Sequence, residues 1–487
     1  MMIQRIFHRS TLSFFVSFAV FAGSFLALPI NVRADVIDYQ AEAEARKSLP
    51  VQTNEIDGWP EGPAIGAEGA ILIDADSGAI LYAKNIHEHL YPASVTKILT
   101  TLIATENCAL DEVVTFSHDA IFSIPYNSSN IAIDEGEELT VDQCLQAILI
   151  ASANEVANGL GEHVAGSMDG FVEMMNARAK ELGCVDSHFV TINGLHDDNH
   201  YTSAYDLALI ARYFFANELL CKYSSTSKLH LAPTDKQPDD ITAWSKNDLF
   251  PGRTYSYEYL VGSKTGYTDT SRQTLVSCAE KDGMRLICVV LKEESPNQFT
   301  DTVDLFNYGF SNFQKVNVSE SETRFKINNA EFFYSNNDIF GNSQPILSIN
   351  SEDTIILPKT VDFSEVESVI SYDSPEAGTV GTITYTYHGT FIGKASIDLA
   401  DGKVVSYEFD GEMTEQEEGA VTKSENENVI FVNVKLILFC VVGGAGGIIL
   451  IIMLVSFFRN YQFGTGSQLQ RRKNGRKRRR SHKGLRF

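Results

Sequence analysis

The sequence predicts an α/β (α+β) chain: a mixed domain of antiparallel sheet and helices, a small all-β domain, and a C-terminal transmembrane helix. Three observations predict it. Strand-like segments bracket a long run of helical periodicity between residues 64 and 315, so a sheet closed by its first and last strands with helices packed on it is the economical solution. From about Asn317 the texture changes to short alternating segments. Leu436 to Phe458 then runs 23 residues without a charge, enough to span a bilayer.

In chain order, Arg5 and Arg9 precede an apolar run from Leu12 to Leu28 that ends at Val32-Arg33-Ala34, the pattern of a secretory signal over residues 1–34. Residues 35–63 are polar and mixed and are expected to be a linker. Ala70–Asp74 and Ala79–Ala83 read as strands around an Asp76-Ser77-Gly78 turn. Tyr91 to Thr100 follows as a loop entering a helix, with Pro92 holding the entry extended. Thr140-Val141-Asp142-Gln143 is a capping-box pattern, and helical runs continue at 155–164, 167–182 and 203–217. Residues 219–253 read as polar and irregular. Strands at 275–279 and 286–291 flank the turn Lys281-Asp282-Gly283, and Asp301 to Phe310 reads as a closing helix. The all-β domain is expected over 316–410, with a His388-Gly389 turn and a last strand at Val404–Phe409. An acidic stalk (411–434), the membrane span (435–458) and a basic tail (459–487) complete the chain.

Charge divides sharply along this plan. Eleven of the 39 Lys and Arg lie beyond residue 458, with no acid among them, which orients the tail to the cytoplasm and everything before Leu436 to the outside. The exported part then carries 24 Lys and Arg against all 63 acids. So acidic a surface argues against nucleic acid as a partner, and the basic tail beside a membrane span suits anionic lipid headgroups. Six cysteines outside the span (Cys108, Cys144, Cys184, Cys221, Cys278, Cys288) show no C-x-x-C pair. Cys278 and Cys288 flank a hairpin and are read either as a cross-hairpin disulfide or as small buried residues. No His-Glu-x-x-His or similar zinc spacing appears, so no metal and no cofactor are expected.

Three polar clusters stand in order: Ser94-x-x-Lys97, Ser152-Ala153-Asn154 and Lys264-Thr265-Gly266. Ser94 and Lys97 are three apart and share one face of a helical turn. A serine hydroxyl needs a base to become a nucleophile, and a lysine amine can be one if burial or nearby cations keep it neutral. Singly, each cluster equally suits a helix cap or a strand end; together, on an exported and tethered chain, they point to one site.

On these motifs the stretch from Ala64 to Phe310 resembles the serine D-alanyl-D-alanine carboxypeptidases, the low-molecular-mass penicillin-binding proteins of the SxxK acyltransferase type. Ala70–Thr101 and Asn193-Gly194-Leu195-His196 through Ala208 extend the likeness beyond the motifs. The resemblance implies a β-lactamase/transpeptidase-like domain that removes the terminal D-Ala of peptidoglycan pentapeptide stems through a serine acyl-enzyme and is inhibited covalently by β-lactams. It implies Ser94 as nucleophile, Lys97 as its base, Ser152 as proton carrier between Ser94 and the two lysines, and Asn154 as a substrate or Lys97 ligand. Lys264 and Thr265 would hold the substrate carboxylate, with Gly266 letting the acyl chain lie against the strand. The N–H groups of Ser94 and Tyr267 would form the oxyanion hole. His196 is expected to be structural. Relatives often carry an arginine just before the last helix; here Asn297–Asp301 has none, and Arg272 is expected to supply that charge. Two other readings share parts of this pattern: a serine β-lactamase, argued against by the lack of a Glu-x-x-Leu-Asn segment after Asn154, and a non-catalytic wall-binding or scaffold protein, argued against by the intact motifs.

Overall fold

The structure, a computed structural model, describes residues 38–325, 347–372 and 379–399, all within one compact unit. The expected signal segment, last β strand, stalk, membrane span and tail lie outside these residues. Among the described residues no helix is long and apolar enough to cross a membrane.

The chain opens on α1 (Tyr39–Arg46), capped by the Asp38 carboxylate on the Ala41 N–H, and a 3₁₀ turn at Gln52–Glu55. The expected linker is therefore folded. Trp59 is buried and its Nε1 donates to Leu81 O across 2.9 Å, while Arg46 Nε donates to Gly66 O across 2.8 Å. Polar composition hid this because the anchoring is done by single side chains rather than by a periodic face.

Hairpin β1 (Gly69–Asp74) and β2 (Ile80–Lys84) turns at the predicted Asp76–Gly78, where Gly78 takes φ +78°. Then come α2 (Lys97–Asn107), β3 (Val113–Thr115), the short α3 (His118–Phe122), β4 (Glu138–Thr140) and α4 (Val141–Gln146), which starts in the predicted Thr140/Gln143 capping box. Helices α5 (Asn154–Ala165), α6 (Met168–Glu181) and α7 (Ala204–Ala216) follow as expected. The tract read as irregular instead holds α8 (Glu218–Ser224) and a hairpin, β5 (Lys228–Leu231) and β6 (Ile241–Trp244). Its elements are four to seven residues long, too short to establish a period.

The main sheet is finished by β7 (Leu260–Thr268), β8 (Arg272–Lys281) and β9 (Met284–Glu293), giving the antiparallel order β2-β1-β9-β8-β7. First and last strands do close one sheet, with β1 paired to β9. Both faces are covered. Ile71, Ile73, Val276, Ile287 and Val289 face the helices of the middle segment; Leu72, Leu275, Leu286 and Val290 face α9 (Asn297–Asn312). Alternation also decides the cysteines. Ser277 pairs Cys288 and Cys278 pairs Ile287, so Cys278 and Cys288 fall on opposite faces, and both are free and buried. No cross-hairpin disulfide can form there.

Beyond α9, β10 (Phe313–Asn317) and, past a one-turn helix α10 (Val318–Ser321), the strands β11 (Leu347–Ile349), β12 (Thr354–Pro358), β13 (Glu367–Ser371), β14 (Thr379–Tyr387) and β15 (Thr390–Leu399) form two sheets, β10-β12 and β11-β15-β14-β13. Their apolar side chains continue the core on the α9 side of the main sheet, where Trp59 packs on Phe313 and Tyr387.

Candidate active site

Ser94 sits in a 3₁₀ turn (Ala93–Thr96) that leads directly into α2, so Lys97 is the first residue of that helix. The turn is forced. Ala93 takes φ +52°, and the loop at Asn193–Gly194 presses on it so closely that a Cβ on Gly194 would stand 2.0 Å from Ala93 O. Thr96 Oγ1 is tied to the buried His200 ring at 2.9 Å, and burial lowers that imidazole to about 3, so it stays neutral. The Asn193–His200 segment thus shapes the turn from behind, while His196 packs edge-on against Tyr91.

Lys97 is fully buried. Its Nζ lies 3.0 Å from Ser94 Oγ, 2.7 Å from Asn154 Oδ1 and 2.6 Å from Asn193 O. Burial, then the Lys264 charge, hold its pKa well below the usual lysine value, against a smaller upward pull from Glu155. Asn154 Oδ1 and Asn193 O can only accept, so two of the amine hydrogens point to them, and the remaining position on Nζ faces Ser94 Oγ, whose hydroxyl can donate to it once the amine is unprotonated.

Ser152 follows a π-type turn (Ala147–Ala151) at the end of α4 and has φ +60°. The wide turn and the left-handed residue break the helix there. Asn154 restarts it as the first residue of α5, its N–H bonded to Ser129 O. Lys264, on the edge strand β7, donates to Ser152 Oγ (3.0 Å) and to Thr265 O (2.8 Å). Burial, with Lys246 nearby, lowers Lys264 to about 7.

Ser94, Ser152, Asn154, Thr265, Gly266 and Tyr267 line one cleft of about 500 Å³, and Lys97 and Lys264 are buried beneath it. One expectation gains a second reason and one needs correcting. Gly266 lines the cleft, and its missing side chain also serves the packing behind it. A Cβ there would meet Thr274 Oγ1 at 2.3 Å, Ser94 N at 2.9 Å and Pro92 O at 3.0 Å, so the missing side chain lets β7 close on the nucleophile's own loop. Arg272 is not in the cleft wall. It takes φ +54°, forms a bidentate pair with Glu294 (both N···O 2.8 Å) and lies 3.8 Å over the Tyr39 ring, so its charge is already matched.

The cation on the cleft wall is instead Lys246, just past β6. Sequence reading missed it because its tract shows no period, although a lysine shortly before the Lys-Thr-Gly strand was a usable signal. Asn193 was missed as well, since it acts through its carbonyl.

The sequence profile of peptidase family S11, D-alanyl-D-alanine carboxypeptidase, matches residues 57–295. The chain is 30% identical over 273 residues to the D-alanyl-D-alanine carboxypeptidase DacD of Salmonella typhimurium, covering 54% of this chain and 67% of that protein. The chain belongs to the D-alanyl-D-alanine carboxypeptidase family. Another family member, DacF of Bacillus subtilis, is 35% identical over 256 residues, 51% of this chain and 63% of its own length. The match thus spans just under two thirds of that relative. Penicillin binding protein 6B of Escherichia coli superposes with a TM-score of 0.53 at 25% identity, covering 70% of this chain and 98% of that one. The family's fold, an α/β transpeptidase-like domain with antiparallel sheet and helices, is the fold described above.

Proposed function

We propose that this chain removes the terminal D-alanine from peptidoglycan stem peptides ending in D-Ala-D-Ala, and that β-lactams acylate the same serine. One observation carries the reading: Lys97 Nζ, buried and held well below the usual lysine pKa, is bonded by Asn154 and Asn193 and faces Ser94 Oγ at 3.0 Å.

In the first step Lys97 takes the Ser94 proton as Oγ attacks the carbonyl carbon of the penultimate D-Ala. The N–H groups of Ser94 and Tyr267 receive the developing oxyanion, a donor set whose members are typically worth about 3–4 kcal/mol each. The leaving D-Ala amine takes a proton through Ser152, which Lys264 supplies from the other side. The D-Ala carboxylate is held by Thr265 and Lys264, with Lys246 adding charge at the cleft wall. Water then hydrolyses the ester by the same groups in reverse.

The uncharged run 436–458, the arginine-rich tail and the N-terminal signal pattern support a single-pass arrangement at the cell membrane, with the cleft outside and the tail in the cytoplasm. In the test, the full-length chain is incubated with pentapeptide and, separately, with labelled penicillin. The expected result is release of free D-alanine and a long-lived adduct on Ser94, both lost in Ser94→Ala. Rapid turnover of penicillin without D-alanine release would instead make the chain a β-lactamase.

A further inference from the structure

At the opposite ends of α2 and α5 from Lys97 and Asn154, three side chains that this chemistry does not use come together. Cys108 closes α2, its N–H bonded to Ala104 O. Glu112 lies just ahead of β3, and His163 stands in the last turn of α5. The thiol sulfur, a carboxylate oxygen and an imidazole nitrogen lie within 4.8 Å of one another, with His163 Nε2 3.0 Å from Glu112 Oε2. We propose that Cys108, Glu112 and His163 form a zinc site with a fourth position left to water.

The donor set selects the ion. Calcium and magnesium favour oxygen ligands alone, whereas thiolate with imidazole and one carboxylate suits zinc. The spacing fits as well. Bonds of about 2.0–2.3 Å in a tetrahedral shell put ligand atoms about 3.3–3.7 Å apart, a spacing close to that of these three donors, which lie within 4.8 Å of one another. The carboxylate is already oriented, because its other oxygen, Oε1, accepts the Ala109 N–H at 2.6 Å, the kind of outer contact that fixes a ligand. Cys108 and His163 are half-buried and Glu112 is exposed, which leaves a route for entry. A search for compact zinc spacings misses such a site, since His163 is 51 positions from Glu112. Its effect would be mechanical: the ion would pin the far end of α2 to the far end of α5, the two helices that begin with Lys97 and Asn154.

The test uses the full-length chain and zinc alone. Expected are one tightly bound zinc per chain, a raised Tm, loss of maleimide labelling at Cys108, and a thiolate-to-metal charge-transfer band when cobalt replaces zinc. Cys108→Ser and His163→Gln should each weaken binding at least tenfold. Absence of binding, a cobalt complex without the thiolate band, or binding that survives both substitutions would overturn the site.

Discussion

Lys264 donates to the hydroxyl of Ser152 across 3.0 Å, joining residues 112 positions apart and linking the edge of the sheet to the break between α4 and α5. That contact puts a second lysine behind the first, and the charge of Lys264 adds to burial in lowering the pKa of Lys97. The proposed chemistry needs both states at once, an unprotonated Lys97 and a protonated Lys264.

The pH profile should therefore be a bell that belongs to the lysine pair. The rising limb of kcat/KM reflects loss of the proton from Lys97, and the falling limb reflects loss of the proton from Lys264 near pH 7. Lys246→Met removes a like charge, so Lys264 should hold its proton to higher pH and the falling limb should move up. The same change should weaken binding of the carboxylate-bearing substrate about tenfold, ~1.4 kcal/mol. Pentapeptide kinetics across pH in both proteins check this.

Lys264→Met should abolish turnover yet stabilise the fold. The lysine is lowered from 10.5 to about 7 by burial, so the unfolded chain binds more protons between those values. The cost of burying it is complete below pH 7 and fades towards pH 10.5. The gain should be on the order of 2–4 kcal/mol at pH 6 and shrink as pH rises. Denaturant midpoints at several pH values measure it.

Gly194→Ala should slow acylation by β-lactam about 100-fold or more, although Gly194 has no reacting atom. A Cβ there collides with Ala93 O, and φ +80° penalises any side chain, so the Ser94 turn must shift. Stopped-flow acylation of the folded fraction would show it. An unchanged rate would mean that the turn holds its shape without the Asn193–Gly194 loop.

Arg272→Ala should act on stability. It leaves the nearly buried Glu294 carboxylate without its bidentate partner, at a cost of about 2–4 kcal/mol, while penicillin acylation of the folded protein persists. Glu294→Gln in the same chain should recover much of the loss. Thermal melts of the single and double variants, with labelling at saturation, test both parts.

The strands at either end of the main domain, the capping box at Thr140, the long helices and the three motif clusters are all legible in the residues alone. Each rests on local periodicity or on short-range chemistry, such as a serine and lysine one helical turn apart. What the tertiary structure decided were the relations across distance. It buried Lys97 beside the charge of Lys264 and aimed its amine with the carbonyl of Asn193. It turned Gly266 towards Pro92 and Ser94, matched Arg272 with Glu294, and brought Lys246 to the cleft from a tract with no readable period. A residue type names the charge a side chain can carry. Which atoms meet it, and whether water reaches it, is fixed only when segments a hundred positions apart pack together, and burial then sets the protonation the chemistry uses.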